Sequence, residues 1–212
     1  MSAATEPSRY LTPPVPGAPF ESFHTVSTLV LVGTIGPDGD PDVAPKHLAM
    51  PLSWTNLFGF VCSPDHSTYR NVLATEQFTV GYPGPDQVVA VSLAAGPRDL
   101  RGAKPTLELL SLTPATTVDG VLVGGCRAHL ECRLTRVVDD LDGNALLVGR
   151  VVAAHVSSRA MVEPVQADRA TSDEDDEARR LQAAPLLAYA HPGRVAVVHD
   201  TKPFPYHPGF HR

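Results

Sequence analysis

The chain has 212 residues and a mass of 22.6 kDa, the size of one large domain or two small ones. Its 43% hydrophobic and 19% charged residues exclude a largely disordered chain or a fibre. A formal net charge of -6 and a pI near 5.8 argue against nucleic acid or an anionic membrane as partner.

Two features of the sequence favour a cytoplasmic protein with no membrane association. No run approaches the roughly 18 consecutive apolar residues of a membrane span, and residues 1–19 lack the basic start and apolar stretch of a signal peptide. The cysteines, Cys62, Cys126 and Cys132, are odd in number and lie in apolar or alternating segments. This pattern favours buried free thiols over disulfides.

Proline is unusually abundant, with 21 residues, roughly twice the usual share. Because proline cannot donate to a β ladder or lie inside a helix, the excess favours short strands and turns over a helical bundle. Five prolines fall in the first twenty residues. We therefore interpret residues 1–22 as an arm and residues 23–212 as the folded domain.

Short apolar runs bounded by turn residues predict the first strands. Residues 27–34 form one strand that ends in the turn-rich stretch 36–41, and a return strand begins near Asp42. Residues 57–62 and 77–82 supply two more strands. The first part of the chain is therefore predicted to form a hairpin followed by further β-strands.

Two helices are predicted between these strands and the second half of the chain. Residues 66–75 have apolar residues three and four apart, and Ser67 or Thr68 can cap the free amides at the start. A second helix is expected near residues 87–95. The acidic run 173–177 has no apolar face and predicts an exposed loop or helix start, not a metal site.

The clearest β signal is the strict alternation of residues 126–135. The Asp142-Gly143 turn then leads into the apolar strand 144–156, so the two segments predict one antiparallel hairpin. A last strand spans residues 194–199. Together these elements indicate a mainly β barrel or sandwich.

Residues 62–71 are the candidate phosphate site. A strand ends there, a turn reverses the chain, and a helix begins with hydroxyl and basic groups. The unpaired N–H groups and partial positive charge of a helix start bind anions such as phosphate. The alternative is that Ser67 and Thr68 are ordinary helix caps.

Other catalytic patterns are missing from the sequence. It holds no GxGxxG, Walker loop or G-x-S-x-G elbow, and its nine histidines include no helical zinc pair. We therefore predict no metal site. His129 and Glu131 share one strand face and could form a pair, but we interpret them as partly solvated surface residues of an alternating strand.

The order of the segments resembles the flavin reductase-like family with the FMN-binding split barrel. The resemblance covers residues 26–210 and lies in an ordered set of short pieces, each common alone. The pieces are DVAP at 42–45, Ser53, the strand 57–62, HSTYRNV at 66–72, EQFTV at 76–80, Lys104, VDG at 118–120, HLECR at 129–133, VGRVV at 148–152 and PLLAY at 185–189.

The resemblance implies a mainly β split barrel with a few short helices that binds FMN. It places the strand after the first hairpin beside the flavin ring, the strand-to-helix turn against the ribityl chain and phosphate, and a lysine near the flavin or the second substrate. The matching residues are Lys46, His47, Leu48 and Ala49 for the ring, Cys62, Ser63, His66, Ser67 and Thr68 for ribityl and phosphate, and Lys104.

This chain departs from the family pattern at two places. His47 stands where many relatives have a small serine, and Trp54-Thr55-Asn56 replaces the usual Asp-Pro-Pro. His47 is therefore the candidate catalytic residue. A protonated imidazole near the flavin edge would stabilise the reduced, anionic ring, whereas a neutral one over the ring would hinder nicotinamide stacking.

The function implied by the resemblance is hydride transfer from NADH or NADPH to FMN in a homodimer with the flavin at the subunit interface. Electrons would then pass to free flavin, a partner oxygenase or another small acceptor. Two alternatives stay open: a flavin-binding carrier without turnover, and a split-barrel protein that binds another cofactor such as haem.

Overall fold

A computed structural model describes residues 19–100, 102–161 and 174–202. The arm predicted for residues 1–22 lies mostly outside this range, as do the prolines after residue 202. The strands are β1 (Thr25–Thr28), β2 (Val30–Ile35), β3 (Pro41–Lys46), β4 (Ala49–Pro51), β5 (Leu57–Cys62), β6 (Gln77–Tyr82), β7 (Leu112–Pro114), β8 (Val121–Val123), β9 (Ala128–Leu141), β10 (Asn144–Val156), β11 (Leu186–His191) and β12 (Arg194–Val198). The α-helices are α1 (Ser67–Thr75), α2 (Val88–Ala94) and α3 (Glu174–Ala183).

The main sheet has seven antiparallel strands in the order β3-β2-β6-β9-β10-β5-β4. Its edge strands, β3 and β4, are consecutive in the chain and are separated only by His47 and Leu48. Because two residues cannot bridge the width of a flat sheet, the sheet must curl until its edges meet. The sequence prediction of a mainly β split barrel is confirmed.

A three-stranded sheet, β1-β11-β12, lies beside the barrel, and β7 pairs with β8. The predicted strand 27–34 is divided at Leu29 because β1 pairs with β11 whereas β2 pairs with β3 and β6. The predictions for β5, β6, β10 and the β9–β10 hairpin are confirmed. The acidic run lies at the start of α3, with residue 173 outside the described range.

Three phenylalanines pack among the aliphatic side chains of the barrel interior. Phe60 and Phe78 pack edge to face at 5.2 Å, and Phe58 is fully buried beside them. Gly149 leaves room for this packing, since a Cβ there would lie 2.5 Å from the Phe78 ring. Cys62 and Cys132 are buried in this core as free thiols, as predicted, and Cys126 is free and partly buried.

Glu131 on β9 is fully buried, so its interpretation as a partly solvated surface residue is wrong, whereas His129 on the same strand is partly exposed. Its carboxylate accepts hydrogen bonds from three successive backbone amides, those of Thr116 (3.0 Å), Thr117 (2.6 Å) and Val118 (3.0 Å). The Thr116 hydroxyl (2.8 Å) and His155 Nε2 (2.7 Å) also contact it. The loop between β7 and β8 therefore covers this face of β9.

No α-helix within the described ranges is long and apolar enough to cross a membrane.

Candidate functional site

A cavity of about 490 Å³ lies at the N-terminus of α1, between β3 and the loop that follows α2. We call it the anion cavity because basic groups predominate among the ionised side chains that line it. Its polar lining consists of Lys46, Arg70, Arg98 and Lys104, the acids Asp42 and Asp65, and His66, Ser67 and Thr68.

The turn between β5 and α1 aims the helix at β3. The Ser63 carbonyl accepts a hydrogen bond from the His66 amide at 3.1 Å, and Ser63 Oγ accepts one from the Asp65 amide at 3.3 Å. Among the described residues, the N-cap residue His66 makes no side-chain cap hydrogen bond to the first turn of α1. The N–H groups of the first turn are therefore open to a ligand, and their partial positive charge faces the cavity.

Ser67 does not cap the helix, contrary to the sequence prediction. Its hydroxyl donates instead to Asp42 Oδ2 at 2.5 Å, and Thr68 is buried under the helix start. The N-cap residue is His66, so Ser67 is the first residue inside the helix and its hydroxyl does not stand at the cap position.

Asp42 organises one wall of the anion cavity. It is almost fully buried and also contacts Lys104 Nζ at 3.1 Å and Arg98 Nη2 at 3.5 Å. Burial alone would raise the pKa of Asp42, but the Ser67 hydrogen bond and the Lys104 and Arg98 charges lower it below its ordinary value. Lys104 donates as well to the Val43 carbonyl at 2.7 Å, so both it and Asp42 are fixed.

The charges of the cavity suit a dianion. Four basic residues face two acidic ones, which leaves two positive charges. Lys46 makes no ion pair with any carboxylate of the described residues, whereas Lys104 and Arg98 share Asp42. Burial and the neighbouring Lys46 charge lower the pKa of His66, so its imidazole is mostly neutral at pH 7.

Five of the ten predicted site residues line the anion cavity: Lys46, His66, Ser67, Thr68 and Lys104. Cys62 and Ser63 lie next to it, with the Cys62 thiol 3.9 Å from His66 Nδ1. Leu48 is exposed, and Ala49 lies in the wall of a different, larger cavity. The predicted flavin-contacting residues are therefore brought together at the start of α1 but spread out along the β3–β4 connection.

His47 lies on the opposite side of this connection from Lys46, as alternation along an extended chain requires. Its ring stacks on Tyr189 with centroids 4.2 Å apart and lines a separate cavity of about 260 Å³. Burial, together with the charges of His191 and Lys46, lowers the pKa of His47. The neutral imidazole is thus the favoured form at pH 7.

Four polar residues of the cavity were not among the predicted site residues: Asp42 and Arg98, and also Asp65 and Arg70, which lie within the candidate phosphate segment. Arg70 lies one turn into α1, within the candidate phosphate segment, and its Nη1 donates to the Asp65 carbonyl at 2.7 Å. Asp42 could have been recognised, because it is a charged residue near the start of a predicted strand and directly precedes the apolar Val43. Arg98 comes from the irregular segment after α2, where no pattern marks it.

Comparison with known proteins identifies the class. Residues 23–174 match the profile of the flavin reductase like domain, so the chain belongs to the flavin reductase-like family and its class is that of flavin-related oxidoreductases. The strands β11 and β12 follow the matched region, and β11 pairs with β1 inside it.

Solved structures share the fold at low sequence identity. Flavoredoxin of Desulfovibrio vulgaris (Miyazaki F) superposes with a TM-score of 0.69 at 16% identity, covering 96% of this chain and 100% of that chain. Nitrilotriacetate monooxygenase component B from Bacillus cereus superposes with a TM-score of 0.69 at 17% identity, covering 85% of this chain and 88% of that chain. An FMN-binding protein from Thermus thermophilus, solved with 1-cyclohex-2-enone, superposes with a TM-score of 0.67 at 21% identity, covering 93% of this chain and 99% of that chain.

Proposed function

We propose that the protein binds FMN with its phosphate in the anion cavity and oxidises NADH or NADPH, passing electrons to free flavin, a partner oxygenase or another small acceptor. The observation that carries this proposal is the uncapped start of α1 facing two uncompensated positive charges. Membership of the flavin reductase-like family supports flavin as the ligand.

The residues of the cavity fit the phosphate end of FMN. Lys46, Arg70 and the first-turn amides of α1 would hold the phosphate, while Asp42 keeps Ser67 and Lys104 in place at the cavity wall. When bound, FMN supplies the hydride-accepting and electron-donating chemistry. The protein's part is to bind, orient and leave one face of the ring accessible.

Support for a particular electron acceptor comes from a structural neighbour and not from the residues of this chain. One structural neighbour is a monooxygenase component B, which is consistent with an oxygenase as recipient of electrons for this chain.

An anaerobic titration of the FMN-loaded protein with NADH and, separately, NADPH tests the proposal. We expect stoichiometric loss of the absorbance of oxidised flavin with at least one of the two nucleotides. Full flavin loading without any reduction would favour the carrier alternative. A protein that refuses FMN but takes up haem would contradict both flavin functions.

We also propose that the protein is a homodimer. The hairpin of β4 and β5 exposes large apolar side chains, with Leu48 53%, Met50 55% and Trp54 77% exposed. Apolar side chains clustered on one surface are typical of an interface, and twofold dimers are the commonest assembly.

Replacing Trp54 with serine is expected to weaken the dimer at least about tenfold, because buried tryptophans dominate interface energetics. Light scattering across a concentration series measures the change. Leu109→Ser removes an apolar side chain of similar exposure, 70%, outside the hairpin and serves as the control. A monomeric wild type at micromolar concentration would rule out the dimer.

A further inference from the structure

A second cavity, of about 700 Å³, is larger than the anion cavity and separate from it. It lies between the strands β1 and β11 on one side and the ends of β4, β6, β9 and β10 on the other. Its walls are mainly apolar, with Val26, Leu29, Met50, Val156 and Leu187 among them. The two cavities have no lining residue in common.

Arg127 is the basic residue among the described residues that line this apolar cavity. Arg127, at the start of β9, is half-buried, and its guanidinium pairs with no carboxylate of the described residues. Burial lowers the pKa of Arg127, which reflects the cost of holding a charge away from water. Its backbone is fixed, because the Arg127 amide donates to the Tyr82 carbonyl at 2.9 Å.

The other large polar side chain of the cavity is Tyr82. Burial raises the pKa of its phenol to about 12, so the hydroxyl stays protonated and can donate a hydrogen bond. Its ring is held edge-on to Phe58 with centroids 6.4 Å apart. The polar side chains of the cavity are thus Tyr82 and Arg127, together with the hydroxyls of Ser27 and Thr28 on β1. The Arg127 guanidinium can donate hydrogen bonds but cannot accept them.

We propose that this cavity binds a small amphipathic carboxylate, with the apolar part of the ligand between β1 and β4 and its carboxylate on Arg127. A cavity of this volume lies within the usual range for small-molecule sites, roughly 300–1,000 Å³, which are mainly apolar with a few convergent polar groups. A carboxylate forms paired hydrogen bonds with a guanidinium and supplies the counter-charge that the described residues lack. The site does not depend on flavin binding.

Calorimetric titration of the full chain with decanoate and with decanol tests this proposal, because the two ligands share an apolar chain and differ in charge. We expect saturable binding of one decanoate per chain. Arg127→Gln should weaken decanoate binding at least about tenfold and change decanol binding little, since only the charged hydrogen bonds are lost.

Two further variants make the result specific. Arg159→Gln removes a basic side chain from the neighbouring 350 Å³ cavity, which Arg127 also lines, and should leave decanoate binding unchanged. Arg127→Lys retains the charge and should restore most of the affinity if the glutamine variant is unstable. Three results would each overturn the proposal. The wild type could bind both ligands with equal affinity, or the Arg127→Gln and Arg159→Gln variants could lose equal affinity for decanoate. The wild type could also bind no decanoate, as expected if a second copy covers the cavity.

Discussion

Replacing Lys46 with glutamine is expected to weaken FMN binding at least about tenfold. Lys46 and Arg70 are the two cations of the anion cavity that make no ion pair within the described residues, and Arg70 already donates to the Asp65 carbonyl, so the charge of Lys46 is available to a phosphate. A hydrogen bond to a charged group contributes roughly 1.5–3 kcal/mol, more than the 1.4 kcal/mol that corresponds to about tenfold. Fluorescence titration of the purified protein with FMN measures the change.

Riboflavin makes this test specific for the phosphate. It has the same ring and ribityl chain as FMN but no phosphate, so its affinity should be the same for Lys46→Gln and the wild type. Arg136→Gln, which removes an exposed charge from β9, controls for the change in net charge. Equal losses for FMN and riboflavin would place the phosphate elsewhere.

Replacing Glu131 with glutamine is expected to lower the free energy of unfolding by about 3 kcal/mol at neutral pH. The glutamine places an NH₂ group where one carboxylate oxygen accepts hydrogen bonds, and it removes the charge that strengthens all of them. For a chain of this length, the melting temperature should fall by roughly 6–12 °C. Glu108→Gln, at an exposed position, should have little effect.

The same variant should change how stability depends on pH. Burial alone would raise the pKa of Glu131, but hydrogen bonds from the 116–118 loop and His155 outweigh it and lower the pKa from 4.5 to about 2. The carboxylate therefore stabilises the fold fully above about pH 4.5 and loses this contribution as the pH falls towards 2. In Glu131→Gln this part of the acid dependence should vanish. Denaturant titrations at several pH values between 4.5 and 2 measure the free energy of unfolding. If it falls with pH as steeply in Glu131→Gln as in the wild type, the hydrogen bonds of the Glu131 carboxylate are not the cause of the acid dependence.

The strands that the sequence predicted correctly are those whose pattern is local. Residues 57–62, 77–82 and 144–156 each combine a β-rich run with a turn signal, and the structure begins and ends β5, β6 and β10 at these residues. The burial of Glu131 could not be predicted in this way. Alternation shows which residues share a face, but not that a loop 13 to 15 residues earlier in the chain covers that face.

The candidate site shows the same division between local and distant information. The strand-turn-helix at residues 62–71 is contiguous, so its place at the cavity could be predicted from sequence. The partner of the Ser67 hydroxyl could not, because Asp42 lies on another strand, 25 residues earlier in the chain. Arg98 enters from an irregular segment that no periodicity describes.

The two-residue connection between β3 and β4 restricts where this chain can tolerate insertions. His47 and Leu48 join the two edges of the curled sheet, with Lys46 at the anion cavity just before them and Ala49 at the apolar cavity just after. Added residues here would let the edges separate and would move both cavity walls at once. The exposed Asp142-Gly143 turn, where both residues have positive φ, carries no such constraint and is the better place to attach a label.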